Sequence, residues 1–259
     1  MTAGELHRPG DTGPKESAVP DISAIAWALA LVITVGAALV QGSVGMGFAM
    51  VSVPALALID PQLSPVPQLL VSIPLAITMA WRERGHMDTK GVGWIIAGRV
   101  PGALIGVALL TVATQQVLDI AIAFIVLGGV AILASGYHVR RTPGTKFAAG
   151  VTSGTSGLVA SIGGPPLALL YGRAEGGIIR SSLAAVFTIG LLITLIARSA
   201  TGNITTTDVK VAAILFPALV VGYLLSNLVK NRLDPSKLRV AILVLSAIAA
   251  GGLLFRAFT

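Results

Sequence analysis

Two short stretches, Gln41-Gly42-Ser43-Val44-Gly45-Met46-Gly47 and Ser161-Ile162-Gly163-Gly164-Pro165-Pro166, place hydrogen-bonding side chains, glycine and proline inside otherwise apolar runs. Ser43 and Ser161 are 118 positions apart, so similar chemistry recurs in the second half of the chain. Backbone unwound at bilayer depth leaves amides and carbonyls without water, and it is tolerated only where protein or a wet cavity satisfies them. A helix restarting there, at Phe48 or Pro165, points free amides and the positive end of its dipole inward, which favours an anion. Proline costs little in that first turn, because its missing amide has no intrahelical partner anyway. A single glycine pair would read as close helix packing; paired breaks at matching places read as a transport site.

Arg99 is the one cation expected well inside a span, where insertion costs about 2.5 to 3.5 kcal/mol. It contacts an anionic substrate, snorkels to the headgroups or pairs with a carbonyl. Its counterpart in the second half is the apolar Leu215. The expected substrate contacts are Gln41, Ser43, Gly45, Gly47, Arg99, Ser161, Gly163 and Gly164. Gln68, Ser72, Thr78, Thr152, Ser153, Thr155 and Ser156 add neutral donors able to replace part of a substrate's hydration. Serine and threonine in membrane helices also commonly bond their own backbone or a neighbouring helix.

Other chemistries find little support. The chain has no cysteine, and its three histidines, His7, His86 and His138, are not grouped at metal-ligand spacing, so neither a metal nor another cofactor is expected. With no histidine inside a span to serve as base and no P-loop sequence, the protein is not expected to be an enzyme. Asp60, Asp88, Asp119, Asp208 and Asp234 all fall at the ends of apolar runs, which argues against a carboxylate proton relay and leaves coupling without a residue.

The elements that carry these residues follow from composition. Of 259 residues 54% are hydrophobic and 11% charged, far from the roughly one-quarter charged content of soluble domains. Continuous apolar runs exclude barrel strands and predict an all-α integral membrane protein of about eight transmembrane helices. The helices are predicted at about 24–41, 64–81, 91–111, 117–136, 146–161, 178–197, 209–229 and 238–256. Phe48 to Ile59 and Pro165 to Tyr171 are too short to cross alone and are expected as half-helices or re-entrant arms. Residues 1–23 read as a disordered tail, lacking the order of parts of a signal peptide.

Ser43-Val44-Gly45 matches Ser161-Ile162-Gly163, Gly85-His86-Met87 matches Gly202-Asn203-Ile204, and Pro101 to Gly106 matches Pro217 to Gly222. A duplication of about 117 residues is therefore expected, with repeats at 24–140 and 141–259. The formal charge of +7 sits in short connections, where it sets membrane orientation rather than binding nucleic acid. Sorted with eight crossings, eleven Lys and Arg fall on the amino-terminal side against six opposite, which favours an inside amino terminus. The uneven halves are what an inverted second repeat would show.

Gly42-Ser43-Val44-Gly45-Met46-Gly47 followed by Val53-Pro54-Ala55-Leu56, the segment Ser72 to Asp88, and Gly154 to Pro166 together resemble the TauE/SafE sulfite exporter family, also called the toluene-sulfonate uptake permeases. The resemblance covers about residues 24 to 257, and Met46 interrupts a glycine run that many members keep. It implies a multi-pass inner-membrane secondary carrier of sulfite, sulfonates or related small anions, coupled to protons or to the membrane potential. The expected mechanism is alternating access around a midplane site built from the two breaks. The competing reading is a non-transporting membrane subunit assembled with a partner protein.

Overall fold

A computed structural model describes residues 19–82, 87–171, 176–229 and 235–259, and every regular element among them is helical. The first half contains α1 (Ala24–Val44), α2 (Phe48–Ile59), a 3-10 turn (Pro61–Leu63), α3 (Val66–Arg82), α4 (Thr89–Val112) and α5 (Gln115–Ser135). The second contains α6 (Pro143–Ala160), α7 (Gly164–Tyr171), α8 (Gly176–Ala200), α9 (Thr206–Val229) and α10 (Pro235–Phe258). Among the described residues seven helices are long and apolar enough to span a bilayer, making this a multi-pass membrane protein. Ser- and Thr-rich α6 is not among the seven. The tail expected over 1–23 lies outside the described residues except for 19–23, as do Gly85 and His86 of the repeat match.

Several helices begin two or three residues before their apolar runs, because polar caps extend them into the interface. Asp88 accepts from the Gly91 amide, Thr114 from Val117, and Thr142 forms a reciprocal capping box with Thr145. The breaks follow the expected residues. Gly45 and Gly47 take φ of 90° and 115°, which glycine adopts without a Cβ penalty, and Ser161 ends α6 at φ 57°.

Contacts give the helix directions. α4 and α6 run parallel, with Gly98, Gly102 and Gly106 meeting Phe147, Val151 and Leu158 in order. α1 and α9 are likewise parallel, Val35 meeting Gly222 and Gly42 meeting Ser226. α8 follows α4 through Asp88 with Ser182 and Arg99 with Gly190. α5 and α10 are antiparallel, because Gln116 and Asp119 near the start of α5 bond Ala257 and Arg256 at the end of α10. α2 runs with α10, from Gly47 beside Ile242 to Ala57 beside Arg256, and α7 runs with α5, from Pro165 beside Gly129 to Leu169 beside Val139.

These directions turn the short helices into return arms. Lys146 near the start of α6 and Tyr171 at the end of α7 both reach Asp88, so the α6–α7 hairpin enters and leaves at one end of the bundle. The α1–α2 hairpin enters and leaves at the opposite end, where Arg256 bonds both the Ala57 carbonyl and Asp119. Six helices, α3, α4, α5, α8, α9 and α10, join the two ends. Sorting the basic residues along this path differs from sorting them with eight crossings. Among the described residues, eight Lys and Arg lie at the Asp88 end: Arg82, Lys90, Arg140, Arg141, Lys146, Arg180, Lys237 and Arg239. The Asp119 end has three among the described residues: Arg198, Lys210 and Arg256.

Candidate functional site

Each break needs a way to satisfy its opened backbone, and the two solve the problem differently. At the first, buried Gln41 spans the gap: its Oε1 accepts from the Phe48 amide at 3.1 Å and its Nε2 donates to the Gly45 carbonyl at 3.2 Å. That occupies the first amide of α2. Ala49 and Met50, next in the first turn, have no acceptor for their amides among the described residues. At the second break Pro165 and Pro166 carry no amide proton, so α7 offers far fewer donors. Ser161 instead donates its hydroxyl to the Pro65 carbonyl at 3.0 Å, tying the end of α6 to the start of α3.

Arg99 supplies positive charge beside that donor-poor break. It is 2% exposed, its Nη1 donates to Ser153 Oγ at 2.7 Å, and Ser153 Oγ in turn donates to the Gly163 carbonyl at 2.6 Å. Its Nε has no hydrogen-bond partner, and no carboxylate pairs with it among the described residues. A buried cation without a counter-charge is costly, so its neighbours must include a wet or ligand-filled space.

That space is a cavity of about 60 Å³ between the breaks. Gln41, Gly47, Phe48, Ala49 and Met50 line it from the first hairpin, and Gly157 with Ser161 to Gly164 from the second. Arg99 reaches it from α4, Ser72 from α3, and Phe187 and Leu191 from α8. That is room for a few waters, the scale of a small oxyanion. A larger cavity of about 240 Å³ lies toward the Asp88 end, lined by Tyr137, His138 and Tyr171 and sharing Met46, Gly47 and Met50 with the small one.

Six of the eight residues expected at the substrate, Gln41, Gly47, Arg99, Ser161, Gly163 and Gly164, line the small cavity. Ser43 does not: its hydroxyl donates to the Leu39 carbonyl one turn back in its own helix, at 2.8 Å. Gly45 packs beside the Arg180 side chain instead. Arg198 departs from expectation in the other direction. Sequence placed it in a connection, yet it is 4% exposed and donates to the Leu158 and Val159 carbonyls, the negative end of α6.

A family model described as sulfite exporter TauE/SafE matches residues 29–253, which takes in both breaks, Arg99 and every helix but the outer turns. The chain belongs to the TauE/SafE family. Comparison with curated proteins and with solved structures gave no match. Membership makes this TauE/SafE chain a membrane protein of a transporter family for sulfite-type sulfur anions, in agreement with its seven span-length apolar helices.

Proposed function

We propose that the protein is a secondary carrier, acting as an exporter, that moves sulfite or a small organosulfonate across the cell membrane by alternating access around the small cavity. The observation that carries this reading is Arg99, buried beside the cavity without a carboxylate partner. A bound oxyanion would supply the missing counter-charge while accepting from the free amides of Ala49 and Met50.

The two halves, 24–140 and 141–259, are proposed as inverted repeats. Supporting this, α1 pairs with α9 as α6 pairs with α4, and α2 follows α10 as α7 follows α5. Five helices in each half reverse the second relative to the first. With eight of the described basic residues at the Asp88 end against three at the other, the Asp88 end is proposed as cytoplasmic and the start of α1 and end of α10 as external, the reverse of the orientation expected from eight crossings. The larger cavity then forms a vestibule from the cytoplasm, suited to loading a substrate for export. Proton coupling is part of the proposal, tested by imposing the gradient.

The experiment is flux through reconstituted protein. Sulfite and a panel of small sulfonates should be transported by proteoliposomes, faster under an imposed proton gradient, and should raise Tm. If none is moved and none shifts Tm, the anion reading is wrong; flux indifferent to the gradient removes proton coupling alone.

A further inference from the structure

We infer that Ser153 and Gly190, neither of which is a conventional anion ligand here, are the positioning residues that hold the Arg99 guanidinium for the substrate; this rests on the reading of the small cavity as an anion site. Ser153 is completely buried and stands between two groups that otherwise have no reason to stay together. Its oxygen accepts from Arg99 Nη1 at 2.7 Å while its own proton goes to the Gly163 carbonyl at 2.6 Å. One hydroxyl therefore fixes the charge and orients a carbonyl of the second break, and alanine could do neither. Gly190 of α8 also lies against the guanidinium, where a Cβ would overlap Arg99 Cζ and crowd Nε. Gly157 and Gly163 complete the slot, since a Cβ on either would come within 3.0 Å of a guanidinium nitrogen. Four segments, α4, α6, the second break and α8, thus cooperate to keep a planar cation in one place. A flexible arginine would lose conformational freedom on each binding event, whereas this one is already ordered.

Sulfite flux into proteoliposomes tests the inference. Ser153→Ala should raise KM for sulfite about tenfold, the scale expected for losing one hydrogen bond to a charged group, with maximal flux within about twofold. Ser153→Thr, which keeps the hydroxyl, should restore KM. Gly190→Ala should reproduce the KM effect by displacing the guanidinium from the α8 side. Because Ser153 acts through Arg99, adding Ser153→Ala to Arg99→Lys should change KM by less than about twofold beyond Arg99→Lys alone. A fall in maximal flux at unchanged KM, failure of threonine to rescue, or multiplicative losses in the double variant would overturn the assignment. If wild type moves no sulfite and gains no Tm from it, the anion site itself fails. If wild type transports and only the Ser153 and Gly190 effects are missing, the positioning claim alone falls.

Discussion

At the scale of single residues, side chains in the breaks divide into those that hold the backbone and those free to meet a substrate. Gln41 belongs to the first group, so Gln41→Leu should destabilise the protein by about 1 to 3 kcal/mol, read as a lower Tm, by orphaning the Phe48 amide and the Gly45 carbonyl. Arg99→Met should cut sulfite flux at least about tenfold while the protein still folds, since it deletes the charge that no carboxylate balances and one hydrogen bond to Ser153, whose own bond to the Gly163 carbonyl remains. Ser43→Ala should leave flux within about twofold, because Ser43 spends its proton within α1 and lies outside the cavity lining. Glycine and proline in apolar sequence made the breaks readable, and an arginine amid aliphatics marked itself. Ser153 was readable only as one of several neutral donors in the run from Thr152 to Ser156, and Gly190 gave no signal, because a lone glycine in a membrane helix has an ordinary packing role. Arg198 was misplaced because it ends an apolar run, and only tertiary contact turns it onto the α6 carbonyls.

At the scale of elements, apolar runs located all ten helices, and caps explain the turns added at their starts. What those runs could not give was helix direction. Direction depends on which small residues meet: Gly102 lies so close to the Val151 carbonyl that a Cβ there would overlap it. Gly102→Ala should therefore force α4 from α6 and cost about 1 to 3 kcal/mol, whereas Gly93→Ala, with nothing within 4 Å, should be neutral or slightly stabilising. Thermal unfolding of the two variants side by side checks both. The α6–α7 hairpin is pinned by Asp88, which joins Lys146 and Tyr171 to the start of α4. Partial burial raises the pKa of its carboxyl, but donors from the Gly91 amide, Lys146 and Tyr171 outweigh this and leave it below the ordinary 3.8. A depressed pKa contributes stability that is present above the unfolded value and lost as pH falls through the folded one. Tm should thus drop on acidification below about pH 4, and Asp88→Asn should flatten that part of the profile.

At the scale of the whole molecule, the path through two return hairpins sorts the described basic residues eight against three. Because the chain has no cysteine, single introduced thiols can report orientation without background. Cysteines at Gln62 and Thr259 should react with a membrane-impermeant maleimide in intact cells, and those at Tyr137 and Gly144 only after lysis; the reverse pattern would return the amino terminus to the cytoplasm. The multi-pass helical class was plain from composition, since no soluble or barrel architecture accommodates such continuous apolar runs. Which ends lie together was not, because it is decided by pairs as distant as Gln116 with Ala257. The pairing of α1 with α9 also sets a clock. Gly222 follows Val35 by 187 residues, so at 5 to 20 residues per second α1 must wait on the order of 10 to 40 seconds for its partner to be synthesised. α1 is thus made long before the face it turns to α9 is covered, and during that interval this small-residue face, including Ala38 and Gly42, is open to lipid or to a chaperone.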